Sequence, residues 1–250
     1  MFQKPVRRIR WVTAVSLLAI AAAATTAIAQ STPQATPDLG GVWEVTMGVR
    51  TRPGPGAPEQ PSLTPEYAQR LAAFKAAQAK GEDEESPQAN CVPPGMPGIM
   101  NQPYPIELLF TSGKVTIVIE AYSQTRRIFL DGRKHPDDPD LTYNGHSIGH
   151  WAGDTLVVDS VGFTPDTALG PSQGYRHSDT MHIVERFRLT APDTLEVVTT
   201  VDDAKALTKP FSSTKVLKRH RDWDIAEYIC EQNNRNLATD KGKAGIILNH

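Results

Sequence analysis

His146 and His150 are the residues in this chain best able to do chemistry near neutral pH. They lie in Leu141–Phe163, LTYNGHSIGHWAGDTLVVDSVGF, a stretch that otherwise reads as β-hairpin. An imidazole changes charge between about pH 5 and 8, so a pair of them addressing one volume suits proton transfer. Strand alternation puts His146, Ile148 and His150 on one face and Ser147, Gly149 and Trp151 on the other. Tight bends at Asn144-Gly145 and Ala152-Gly153-Asp154 bound the strand before the β-branched run Thr155–Val158.

Further polar residues fall on faces that alternation sends inward. In Met181–Leu189 the odd positions are Met181, Ile183, Glu185, Phe187 and Leu189, so Glu185 shares an apolar face. A carboxylate there must find a partner or take up a proton. Asp159 is in line with Val157, Val161 and Phe163, and Glu120 with Val118 and Tyr122. Of the neighbours Arg126 and Arg127, one must point inward. His177 heads the strand that carries Glu185. Asp154, beside a turn, reads as a turn residue, and His135, in a polar loop, as surface.

These residues suit general acid–base catalysis. The candidate catalytic set is His146, His150, Glu185, His177 and Tyr143, with Arg126, Arg127, Trp151, Tyr122 and Asp159 lining a substrate site. A near-neutral imidazole beside a desolvated carboxylate can remove a proton α to a carbonyl or protonate a leaving oxygen. The expected reaction is that of a lyase, dehydratase or isomerase on a small hydroxylated molecule, a sugar derivative or an aromatic metabolite. The first alternative is a non-catalytic ligand-binding barrel. The second is a metal-dependent enzyme with His146, His150 and Glu185 or His177 as ligands, although that spacing matches no recognised metal motif. A structural hydrogen-bond network through the histidines is a third possibility. Otherwise no cofactor is expected: the chain has no G-x-S-x-G, no phosphate loop and no dinucleotide fingerprint.

The elements that must hold these residues are mostly strands. Segments at 106–110, 115–122, 126–130, 146–151, 155–161, 180–189, 194–201 and 211–218 read as about eight short antiparallel strands. They follow an opening strand around Leu39–Val45. A helix over residues 65–80 is expected from Thr64 as cap, Pro65 in the first turn and Gly81 at the end. Tyr67, Leu71, Phe74 and Ala77 give it one apolar stripe. The strands must close or pack as two sheets to remove exposed edges. Together with Gly41-Val42-Trp43 at the start, this array resembles a lipocalin-like (calycin) barrel; a β-sandwich is the alternative.

The first 29 residues read as an export signal: Lys4, Arg7, Arg8 and Arg10, an apolar run, then Ala27-Ile28-Ala29. The expected order is signal peptide 1–29, a lead-in with the first strand over 30–62, one barrel domain over 63–236, and a tail over 237–250. The full chain carries 26 basic and 28 acidic side chains; the leader takes four basic and no acidic ones, leaving 22 against 28, or −6. No basic cluster suits nucleic acid, and no later segment suits a membrane. The expected partner is a small molecule, and the expected location the periplasm or outside the cell. In such an oxidising compartment Cys91 and Cys230 are expected to pair, with two separate buried thiols as the alternative.

Three runs, GHSIGHWAGDTLVVDSVGF, HSDTMHIVERFR and DWDIAEYICEQNNRN, together with Asp202–Phe211, resemble a family of uncharacterised exported bacterial proteins. The similarity runs from Leu63 to Asn236. Position 152 is usually acidic in that family and is Ala152 here. The resemblance implies a shared fold and a shared site around His146, His150, His177 and Glu185, and no substrate.

Overall fold

The computed structural model describes Met1 and residues 36–46, 60–80, 88–169 and 174–233. By its internal contacts the chain divides into Met1–Pro33 and Gln34–His250, and the barrel belongs to the second unit. The leader after Met1, Gly81, the acidic run after it and the tail over 237–250 lie outside the described residues.

Nine strands form a closed barrel: β1 Gly41–Val45, β2 Ile106–Thr111, β3 Lys114–Ile119, β4 Gln124–Phe129, β5 His146–Ala152, β6 Thr155–Val161, β7 His182–Ala191, β8 Thr194–Asp202 and β9 Phe211–His220. The fold is thus the expected mostly-β barrel, with one α-helix among the described residues. One junction departs from a fully antiparallel arrangement. β4 and β5 run parallel, joined only by the register pairs Ile128↔Ser147 and Phe129↔Ile148. Parity requires such a junction. Strands alternating up and down around a ring close only in even number, so nine strands need one parallel pair. Here β1 meets β9 antiparallel, and the mismatch falls between β4 and β5 instead.

Alternation fixes the lumen. Ile106, Leu108, Val115, Ile117, Ile119, Ile128, Leu156, Val158, Ile183, Phe187, Leu195, Val197 and Val201 are buried on successive inner faces. At about 25 cal/mol per Å² of apolar surface, this continuous core supplies the main driving force for closure. Trp43 is fully buried, its Nε1 donating to Leu39 O at 3.0 Å, with the Arg219 guanidinium 4.5 Å above its ring.

Helix α1, Pro65–Ala79, begins after Thr64, as its sequence predicts. Thr64 does not cap the helix with its own hydroxyl, which donates instead to Lys205 O at 2.9 Å. That bond ties the helix start to the β8–β9 connection. Leu71 and Phe74 crowd Gly174, where a Cβ would come within 2.7 Å of either side chain, so a glycine lets the helix approach.

Two further segments brace the barrel. A 3-10 turn at Gly98–Asn101 buries Ile99 and Met100, and just before it Met96 is buried and donates its N–H to Tyr143 O at 2.8 Å. The chain after β9 runs past β4: Ser123 Oγ donates to Tyr228 O at 2.9 Å, and Ala226 N to Glu120 Oε2 at 3.0 Å. Glu120 therefore lies in the turn after β3, outside the strand that alternation assigned it to. Cys91 and Cys230 form a disulfide, Cα to Cα 5.6 Å, linking these two segments across 139 residues of sequence. A disulfide fits an oxidising compartment.

Candidate active site

The face of β5 that carries the histidines is the outer one. Ser147 is fully buried on the inner face beside Gly149 and Trp151, while His146 is half-buried and His150 exposed outside. The register makes this consistent, since Ser147 pairs with inward Ser160, and His150 with Val157. Ser147 and Gly149 are small because the side chains beside them are large. A Cβ on Gly149 would come 2.9 Å from Leu130 Cδ2 and 3.0 Å from Ile128 Cγ2. Asp159 is likewise outside: Leu156, Val158 and Ser160 are the inward residues of β6.

Glu185 and Arg126 occupy the lumen. Glu185 is 0% and Arg126 1% exposed, and Arg126 Nη2 donates to Glu185 Oε2 at 2.5 Å. The same nitrogen reaches Ser160 Oγ at 2.9 Å and Ser147 Oγ at 3.2 Å, and the two hydroxyls are 2.8 Å apart. Arg127, its neighbour, is exposed. Arg126 Nη1 and Glu185 Oε1 have no partner among the described residues.

Lys215 enters the same interior, opposite Val197 in the ladder, and donates to Met100 O at 3.1 Å. The residue as a whole is half-buried, but its ammonium lies deep. Desolvation there lowers its pKa to about 8, with Glu185 pulling it up and Arg126 pushing it down. Between pH 8 and the ordinary 10.5, the unfolded chain binds a proton here that the folded chain does not. Folding stability is therefore expected to rise across that window, by up to about 3 kcal/mol at 1.36 kcal/mol per pK unit. Urea titrations of wild type and Lys215→Met at pH 8 and 10.5 check this. The wild type should gain on the variant as pH rises, and parallel curves would refute it.

On the outer wall a chain of three groups forms. His146 Nδ1 is 2.8 Å from His135 Nδ1, and His135 Nε2 is 3.0 Å from Asp159 Oδ1. The tautomers follow from donor bookkeeping. The carboxylate only accepts, so His135 carries its proton on Nε2; neutral, it then accepts at Nδ1. His146 must donate from Nδ1, which leaves its Nε2 with a free lone pair. Burial, then His135 and Arg133, hold the His146 pKa below the usual imidazole value, so it is neutral at pH 7. Phe129 stacks on the His146 ring, centroids 5.5 Å apart, and the Arg133 guanidinium lies over the Phe129 ring at 3.8 Å.

His146 borders a cavity of about 460 Å³ at the parallel junction, where β4 and β5 diverge. Arg126, Arg127, Phe129, Tyr143 and Asn144 also line it. Gly145 (φ +65°) makes the tight entry to β5, and a Cβ there would meet Phe163 and Val161 O at 2.6 Å. Asn144 is oriented by a chain of amides. Gln124 Nε2 donates to Tyr122 O at 3.2 Å, so its Oε1 accepts from Asn144 Nδ2 at 3.1 Å.

The cavity thus brings together His146, Tyr143, Arg126 and Arg127, with Asp159 acting through His135. The remaining candidates lie elsewhere. His150 is exposed on the outer wall, and Glu185 sits in the lumen behind Arg126. Trp151 stacks on Phe110 at 6.3 Å, and Tyr122 packs on Tyr228 at 5.5 Å. His177 is buried with both nitrogens engaged, to Thr167 Oγ1 at 2.7 Å and Ser178 O at 2.8 Å, and burial lowers its pKa. Asp154 accepts from Thr155 Oγ1 at 2.9 Å, a turn role. Sequence reasoning missed His135, and no local signal marks it: only the return of the 130–145 connection over the outer wall puts it between His146 and Asp159. Among the described residues, no group of three or more His, Cys, Asp or Glu side chains is arranged to hold a metal ion. His146, His150 and Glu185 in particular do not converge.

Fold and site define a closed nine-stranded β-barrel with a hydrogen-bonded imidazole–imidazole–carboxylate chain beside a cavity of mixed polar and apolar lining. Compared with known proteins, the chain matches no family model and no curated sequence.

Proposed function

We propose that the protein is an exported enzyme, periplasmic or secreted, in which His146 acts as general base on a small hydroxylated substrate bound in the β4–β5 cavity. One observation carries the reading: His146 borders the cavity while its Nδ1 is held by His135, which Asp159 holds in turn. A base oriented by a second group that is itself anchored is the arrangement that proton abstraction needs. As His146 Nε2 takes a proton, positive charge develops one hydrogen bond from His135 and two from the Asp159 carboxylate. Tyr143 borders the same cavity and is the candidate acid; Arg127 is the candidate partner for an oxyanion or carboxylate. Elimination or isomerisation of a sugar derivative or aromatic metabolite fits these groups, and the lining mixes polar side chains with Phe129, Tyr143 and two prolines.

The test is a panel of uronate-like sugars and phenolic metabolites assayed for elimination or isomerised products, with wild type and His146→Ala. Turnover that falls by at least about a hundredfold in kcat/KM in the variant, with an unchanged melt, supports the reading. The acidic limb of the wild-type profile should lie below the ordinary imidazole pKa of about 6.5, because burial depresses it. Saturable binding without turnover across the panel would instead favour a ligand-binding barrel.

A further inference from the structure

The relay uses one of two imidazoles that hold Asp159. His182 Nε2 lies 2.9 Å from Asp159 Oδ1, the same oxygen that His135 Nε2 reaches at 3.0 Å. His182 opens β7, on the outer face next to Asp159 of β6, and its side chain is 40% exposed. We propose that His182 is a positioning residue for the relay: by donating to the shared oxygen, it fixes the Asp159 carboxylate, and its own protonation sets how strongly that carboxylate supports His135 and His146. This deepens the reading above and rests on it for its bearing on catalysis, but not for its test.

The chemistry follows from the shared acceptor. Asp159 only accepts, so neutral His182 carries its proton on Nε2 and leaves Nδ1 as a lone pair. When Nδ1 takes a proton, His182 becomes a cation ion-paired with Asp159. The carboxylate's charge is then divided between two donors, and His135 is polarised less. His146, at the far end, becomes a weaker base. By reciprocity, a proton on His146 makes His182 harder to protonate by the same amount.

Other charged groups surround this array. Asp202 of β8 stands opposite His182 in register. His135 faces both Asp159 and His146, Arg133 lowers the His146 pKa, and Asp140 lines the cavity. Neither Asp202 nor Arg133 shares the Asp159 oxygen. The coupling should therefore depend on His182 and Asp159 in particular.

The experiment is a carbon-detected NMR titration of histidine-labelled mature protein, following the Cε1 resonances of His135, His146 and His182 without any substrate. In wild type the His146 curve should carry a second inflection at the pH where His182 titrates. His182→Gln keeps an N–H for Asp159 and removes the titration. There the second inflection should vanish, and the apparent His146 pKa should rise, because a cation no longer draws on the shared Asp159 oxygen. Asp159→Asn should abolish the dependence of His146 on His182 as well. A His146 curve unchanged in His182→Gln would overturn the proposal, and so would a shift equalled by removal of Arg133 but independent of Asp159. Failure of the enzyme reading shows separately, as absent turnover with the titration coupling intact.

Discussion

Replacing Glu185 with leucine is expected to cost about 3–5 kcal/mol of stability, because it strands the Arg126 guanidinium in the lumen. That guanidinium is 1% exposed, and the Glu185 carboxylate is its one anionic partner among the described residues. Ser147 and Ser160 solvate it in part, but hydroxyl dipoles do not replace a countercharge. Desolvation of an unpaired ion is the dominant effect, larger than loss of the hydrogen bond alone, about 1.5–3 kcal/mol for a charged group. Removing both ions should cost less than removing one. The double variant Arg126→Met/Glu185→Leu exchanges an ion pair for apolar bulk in a lumen already lined by Ile117, Ile128 and Val158. Equilibrium urea unfolding of the two single variants and the double variant gives the comparison. A double variant as unstable as the sum of the singles would show that the pair is a source of net stability rather than a mutually required partnership.

Reduction of Cys91–Cys230 is the second large expected effect. The bond closes a loop of 139 residues, and loop-closure entropy then puts its stabilising effect at about 5 kcal/mol. That approaches the whole stability of many domains, about 5–15 kcal/mol. Beyond the disulfide, the strap after β9 is held by contacts that include Ser123, Glu120 and the Tyr104–Tyr122–Tyr228 ring cluster. Thermal melts with and without reductant, and with Cys91→Ser/Cys230→Ser, measure the effect. A midpoint moved by only a degree or two would mean that the strap docks equally well without its covalent link.

Much of this architecture is readable from the chain, and the exceptions share a physical origin. Glu185 is placed inward by strict alternation with Ile183 and Phe187, and one of Arg126 and Arg127 had to face it. An even cysteine count behind a leader points to the disulfide. The phase of β5 was not readable. Its outer face carries Ile148 and two histidines, and its inner face Ser147 and Gly149, so polarity and size give opposite answers. The inner face is small because Arg126, Ile128 and Leu130 of the neighbouring segment fill the space, and that is known only once the β4–β5 register is known. β6 has the same ambiguity, since Leu156, Val157 and Val158 are buried in succession and leave the side of Asp159 open. His135 required more still. Its role comes from a connection that must travel back along the wall so that β5 can start beside β4 in the same direction.

That direction has an evolutionary corollary. Gain or loss of a single strand anywhere in the ring would restore an even count and remove the need for a parallel junction. The cavity sits at that junction, so in this barrel the odd strand count and the site share one geometric cause. Relatives that tolerate insertions in their hairpins should still keep an odd ring wherever they keep this cavity.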